Sequence, residues 1–359
     1  IRDRRMDAVA LPPPPVLHAP MVGPVARGEA RLVMHRGPLL PAAAVIGLIL
    51  AAHVSLAPDI ADADSFYHVG HAAQYADQGL FDTSFPWATQ SVIRDFGADL
   101  WWGFHVSLVP FATDDVASGI RVAAFLLTVL LAAVVWWLLR RHRLPGPGWW
   151  TLLFLAAVPN VLYRFLMVRP HVLSLAGAFA ILSLLVRGRW WQVMVVAALI
   201  VWIHLSLFWM APALVVAYAV VRTIQERATD PPTTQVGVST RAAVAAVVAG
   251  TLIGWLLRPH PLASAQLAYV QIVRLFAEKG ADLPLLFATE LSPLPVEELL
   301  RSSWLFVVAR VGAVLTAATR LMRAQGPDGD LLEAPERTLL FTTLLVSATF
   351  LALTLGSAR

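Results

Sequence analysis

Long apolar runs separated by short polar segments dominate the chain. A helix needs about 20 consecutive apolar residues to cross a bilayer, and about nine runs approach that length. We therefore predict an all-α polytopic membrane protein with about nine transmembrane helices. The predicted spans are 38–57, 119–139, 148–168, 170–185, 190–207, 208–221, 242–257, 303–319 and 338–355.

Arginine placement orients these spans, because cytoplasmic loops carry an excess of Lys and Arg. Arginines follow every second predicted span, and others precede the first. We therefore predict a multi-pass membrane protein with a cytoplasmic N-terminus. The predicted organisation is a disordered, Pro-rich tail over 1–37 and a transmembrane domain over 38–357, with outer segments at 58–118 and 258–302.

Composition agrees with a membrane setting. Hydrophobic residues make up 58% of the chain and charged residues 14%, with a mean hydropathy of +0.68. Soluble domains are about 45–50% apolar and about 25% charged. The net charge of +4 is attributed to cytoplasmic loops, so no nucleic-acid partner is predicted. The absence of cysteine excludes disulfides, thiolate metal sites and cysteine nucleophiles.

The outer segment 58–118 is the most polar and aromatic part of the chain. Within it, 64–79 has apolar residues at helical spacing and ends at a glycine, Gly79. We predict a helix lying along the membrane surface, with Asp64 as its N-cap. A second interfacial helix is predicted near 262–277.

Candidate chemistry gathers at the start of the first surface helix. Asp62, Asp64, His68 and His71 follow the first span closely. At 100° per residue Asp64, His68 and His71 share one helix face, where they can bind a divalent cation or act as acid and base. The alternative is that a wet outer loop simply contains Asp and His.

Several short motifs of this region carry a family resemblance. The chain resembles the GT-C superfamily of membrane glycosyltransferases, which includes the oligosaccharyltransferase catalytic subunit, the protein mannosyltransferases and the aminoarabinose transferase. The resemblance covers approximately residues 38–300. Its motifs are Asp64-Ser-Phe-Tyr-His68 after the first span, Phe85-Pro86-Trp87, Trp102-Gly103-Phe104-His105 and Val109-Pro110-Phe111, then Arg169-Pro170-His171, Arg258-Pro259-His260-Pro261 and Glu290.

The resemblance implies a transferase of the bacterial inner membrane that uses a polyprenyl-phosphate-linked sugar at the outer face of that membrane. It implies Asp64 as the essential acid, with Asp62 as its acidic neighbour. His68 joins them as a catalytic candidate, and a divalent cation, Mg²⁺ or Mn²⁺, is the possible cofactor. The chain departs from the family pattern in the second outer turn, 163–169, which contains no acidic residue.

Four arginines are candidates for the donor phosphate, because a guanidinium fork binds phosphate oxygens bidentately. They are Arg164, Arg169, Arg258 and Arg310. The alternatives are interfacial anchoring for Arg169 and Arg258, and snorkelling or pairing with an acid of a neighbouring helix for Arg310.

Two other functions stay open at this stage. A transporter or flippase would use broken helices, for which Pro159-Asn160 and Pro212 are the hints. A non-catalytic subunit would associate with partner membrane proteins, which the missing second acidic motif permits.

Overall fold

A computed structural model describes residues 39–55, 60, 62–86, 88–156, 159–228, 237–274, 277, 295–324 and 334–357. All regular structure in these ranges is helical. The predicted tail 1–37, Trp87 and Glu290 lie outside them. The helices are α1 Leu39–Ser55, α2 Ala63–Gln78, α3 Val92–Phe96, α4 Trp102–Leu108, α5 Val116–Arg141, α6 Pro147–Ala156, α7 Pro159–Phe165, α8 Pro170–Arg187, α9 Trp190–Ile203, α10 Met210–Ala228, α11 Thr240–Leu256, α12 Pro261–Tyr269, α13 Val296–Ala324 and α14 Ala334–Ser357.

Fewer helices than predicted meet the length and apolarity needed to cross a membrane. Among the described residues three do so, Val116–Arg141, Pro170–Arg187 and Leu205–Arg227. A fourth is added if α11 and Pro261–Arg274, which meet at 111°, count as one span. The coarse prediction of a helical protein with membrane-compatible helices is confirmed. The count of nine stays a prediction.

Helices α1 and α9 are apolar but shorter than the bilayer core. The 14 residues of α9 reach about 21 Å at 1.5 Å per residue, against a core of about 30 Å. The predicted span 190–207 exceeds α9 by four residues, whereas α5 and α8 extend beyond the predicted spans 119–139 and 170–185. Helices α6 and α7 cover parts of the predicted span 148–168, and residues 157 and 158 lie outside the described ranges.

The outer face of α11 shows how this fold suits lipid. Val244, Val248, Leu252 and Leu256 recur every four residues, and each is exposed by 46–59%. Its opposite face, with Ala243, is buried against the neighbouring helices. A continuous exposed apolar stripe on one helix is expected at a membrane interface.

The helix predicted over 64–79 has nearly the predicted bounds. Helix α2 spans Ala63–Gln78 and ends where Gly79 adopts a φ of 102°. The predicted N-cap was wrong by two residues, because the Asp62 carboxylate accepts from the Asp64 amide. Asp64 lies in the first helical turn, where a negative charge is favoured by the helix dipole.

Helices α9 and α11 approach each other through glycine. A Cβ at Gly250 or Gly254 would overlap backbone atoms of Met194 or Ala198 on α9. Small residues four apart allow this close backbone contact, which dispersion then stabilises. This contact is central to the second half of the bundle.

We expect Gly254→Ala to destabilise the protein by about 1–3 kcal/mol, because the added methyl must push α9 and α11 apart. The measurement is thermal unfolding of the purified protein in detergent. Gly47→Ala on α1 is the matched control, since a Cβ there meets nothing within 4 Å. Equal unfolding temperatures for the two variants would contradict the packing argument.

Candidate functional site

The start of α2 meets the start of α8. Arg169 is the N-cap of α8, and its guanidinium donates to both carboxylate oxygens of Asp62, at 2.6 and 3.0 Å. Its Nη2 also lies 2.9 Å from Asp64 Oδ2. The Ser65 hydroxyl accepts from the Val168 amide at 3.2 Å. We call Asp62, Asp64 and Arg169 the acid–arginine cluster.

The two acids of this cluster differ in environment. Burial alone would raise the pKa of Asp62, but the hydrogen bond and charge of Arg169 outweigh it, so the pKa is lowered. The Asp62 side chain is 12% exposed and that of Asp64 is 56% exposed. Asp62 therefore serves as the fixed partner of Arg169, and Asp64 presents a carboxylate to solvent.

A cleft of about 340 Å³ opens beside the cluster. It brings together the start of α2, the loop before α4, the start of α8 and the end of α9. A second cavity of about 280 Å³ adjoins it, because Tyr67 and Ile93 line both. The cleft is lined by Asp64, Tyr67, His68, Ile93, Trp101, Arg169, Pro170, His171 and His204.

Behind the cleft a buried carboxylate is linked to His68 through a second imidazole. Asp99 Oδ2 lies 2.6 Å from His105 Nδ1, and His105 Nε2 lies 2.7 Å from His68 Nδ1. Asp99 also accepts from the Tyr75 hydroxyl at 2.8 Å and from the Trp101 amide at 2.8 Å. We call Asp99, His105 and His68 the buried relay.

The charge states of this relay follow from its contacts. Burial opposes ionisation of Asp99, but the charge and hydrogen bond of His105 hold the pKa of the carboxyl well below its ordinary value. Burial, with the neighbouring His105, lowers the pKa of His68 well below its usual range. At neutral pH the cleft therefore faces a neutral imidazole that is linked to an ionised carboxylate.

Arg258 supports the relay instead of lining the cleft. It is 4% exposed, and its guanidinium donates to the Asp99 carbonyl and to the carbonyls of Val201 and Trp202. The predicted phosphate-binding role of Arg258 is not favoured by this position, because the side chain is buried and its Nη1 and Nη2 donate to three backbone carbonyls. Its interaction joins the loop before α4 to the end of α9.

The other predicted arginines are dispersed. Arg164 is exposed at the end of α7. Arg310, within α13, donates to the Ser347 hydroxyl of α14. This partner is a neutral hydroxyl on a neighbouring helix, whereas one alternative from the sequence was pairing with an acidic residue there. Of the four candidates, only Arg169 lines the cleft.

The predicted metal ligands are not gathered. Asp64 and His68 line the cleft, whereas His71 lines the adjoining cavity and stacks on His105 at 4.6 Å between ring centroids. In the part of the chain that the structure describes, no group of three or more His, Cys, Asp or Glu side chains is arranged to hold a metal ion. The divalent cation stays a prediction.

Sequence reasoning missed the functional placement of Tyr75, Asp99 and His105. One signal was present in the sequence, because His68, His71 and Tyr75 recur at i, i+3 and i+7 on one face of α2. Polar side chains on the buried face of a helix require partners. Asp99 and His105 supply these partners from outside the helix, where no spacing rule identifies them.

No protein-family model matches this chain, and neither a curated protein nor a solved structure shows significant similarity to it. The argument for function therefore depends on the residues and geometry of the cleft.

We expect Asp99→Asn to lower the free energy of unfolding by about 3 kcal/mol, because it removes the ionised acceptor of a buried pair. Chemical or thermal unfolding in detergent measures the change. Asp77→Asn, an exposed change on α2, is the control and should leave stability unaltered. Equal stability of the two variants would contradict the role assigned to Asp99.

Acid should destabilise the protein through His71. Burial lowers its pKa to about 4 from 6.5, so between these values the unfolded state binds more protons and stability falls as the pH falls. His71→Gln should remove up to about 3 kcal/mol of this loss. Unfolding temperatures at pH 7 and pH 4.5 test it, with the exposed and non-titrating Gln90→Ala as control. A pH dependence unchanged in His71→Gln would refute the assignment.

Proposed function

We propose that the chain is a membrane glycosyltransferase that moves a sugar from a polyprenyl-phosphate donor to an acceptor hydroxyl or amide at the outer membrane face. The observation that carries the proposal is the cleft, where the acid–arginine cluster and a neutral histidine line one opening. A carboxylate, a base and a cation are the groups that sugar transfer from a phosphate requires.

The location of the cleft suits a lipid-linked donor. Arg169 caps Pro170–Arg187, a helix long and apolar enough to cross a membrane, and Asp62 lies seven residues past the end of α1. Polar groups at the end of such a helix lie at headgroup depth. A polyprenyl phosphate places its phosphate at this depth and its sugar in water.

The acid–arginine cluster can serve both ends of the breaking bond. The sugar passes through a state with positive charge at its anomeric carbon, and the exposed Asp64 carboxylate can stabilise that charge. The same carboxylate can instead act as the base that takes the acceptor proton. The guanidinium of Arg169 lies beside it and attracts the departing phosphate. Asp62 keeps Arg169 in place through its two hydrogen bonds.

A divalent cation would bind on the same carboxylates. Asp62 and Asp64 offer the oxygen ligands that Mg²⁺ and Mn²⁺ prefer, although Arg169 already neutralises part of their charge. Transfer should therefore be measured with Mg²⁺, with Mn²⁺ and with EDTA.

We expect Asp64→Asn to lower sugar transfer by about 10²-fold or more, because Asn keeps the shape and removes the charge. The assay is release of labelled sugar from polyprenyl-phosphate-linked mannose, glucose or galactose by the detergent-solubilised full chain. Asp77→Asn is the control and should retain wild-type transfer.

Two results would defeat the proposal. One is undiminished transfer by Asp64→Asn when its expression and unfolding temperature match the wild type. The other is absence of transfer by the wild-type chain with all donors and cations, together with uptake of the intact lipid-linked sugar into liposomes, which would favour a flippase.

A further inference from the structure

The buried relay ends at the cleft, and its hydrogen bonds have only one consistent direction when the imidazoles are neutral. The ionised Asp99 carboxylate can only accept, so His105 donates to it from Nδ1. Neutral His105 then carries a lone pair on Nε2, and His68 donates to that atom from Nδ1. The Nε2 of His68 is left with its lone pair.

We infer that His68 is the group that takes the acceptor proton, and that Asp99 and His105 are positioning residues that fix its tautomer and orientation. This inference rests on the proposed function and refines it, because it separates the roles of the two cleft groups. Asp64 then balances the charge of the sugar and His68 removes the proton.

The neighbours of each group favour this division. Asp64 lies 2.9 Å from Arg169, and an adjacent positive charge makes a carboxylate a weaker base. The negative charge of the Asp64 carboxylate nevertheless stabilises an electron-poor sugar carbon. His68 hydrogen-bonds to an imidazole that is backed by a carboxylate, an arrangement that orients His68 and stabilises the imidazolium it becomes.

The step balances without a further reagent. The acceptor O–H bond breaks and its proton moves to His68 Nε2, while the oxygen electron pair forms the bond to the anomeric carbon. The bond between that carbon and the phosphate oxygen breaks, and its electron pair leaves with the lipid phosphate. The imidazolium charge is shared towards Asp99 through His105, and the proton then passes to water.

Azide separates the two roles, because it attacks carbon without losing a proton. Water gives free sugar and needs a base, whereas azide gives a glycosyl azide and needs none. In His68→Gln we expect release to water to fall by about 10²-fold and azide transfer to stay within about threefold of wild type. Asp64→Asn should lose both reactions together. An equal loss of both reactions in His68→Gln would overturn the inference.

The positioning residues need a matched pair of variants. Asp99→Asn should lower release to water and spare azide transfer, as His68→Gln does. Tyr75→Phe also removes a hydrogen bond to Asp99 but leaves the line from Asp99 to His68 intact, so its two reactions should change in parallel. If instead Asp99→Asn lowers both reactions equally, Asp99 acts only on packing and its positioning role is refuted.

A spectroscopic reading of the wild type keeps the test decisive if Asp99→Asn does not fold. With ¹⁵N-labelled histidine, the His68 signals, assigned by their loss in His68→Gln, should show hydrogen on Nδ1 and none on Nε2. Hydrogen on Nε2 would overturn the inference. If the tautomer is as expected and the wild type transfers no sugar, the proposed function fails and the tautomer assignment stands.

Discussion

The arrangement of the cleft depends on one buried charge, the carboxylate of Asp99. A carboxylate removed from water is costly unless hydrogen bonds and nearby positive groups replace its hydration. Here the replacements come from Tyr75 on α2, from His105 on α4 and from the Trp101 amide. Satisfying this single group therefore fixes how α2 and α4 pack against each other.

Arg258 extends the same constraint to α9. It donates to the backbone of Asp99 and to the end of α9. Together with the pairing of Arg169 and Asp62, this interaction joins the start of α2 and the loop before α4 to α8 and α9. The cleft forms where these two connections meet, so its shape is set by buried polar contacts at the ends of apolar helices.

The acid–arginine cluster and the buried relay place different demands on the fold. The cluster lies at helix N-termini, where carboxylates are stabilised by the dipole and solvent still reaches Asp64. The relay is dry, and burial lowers the pKa of His68, because it penalises the charged imidazole. One cleft thus offers a charged carboxylate beside a neutral imidazole, which is the separation of roles that acid–base chemistry on a sugar uses.

The sequence by itself determined the helical class, the membrane-compatible composition, the extent of α2 and the presence of Asp64 and His68 at one site, because periodicity, caps and apolar length are local properties. It overestimated the length of α9, since apolar composition does not show where a helix ends. Only the tertiary structure decided that Asp99 meets Tyr75, His105 and Arg258, which lie 24, 6 and 159 residues away along the chain. It also assigned Arg169 to the acids and Arg258 to backbone carbonyls, because the choice between equivalent arginines depends on which partners folding brings within hydrogen-bond distance.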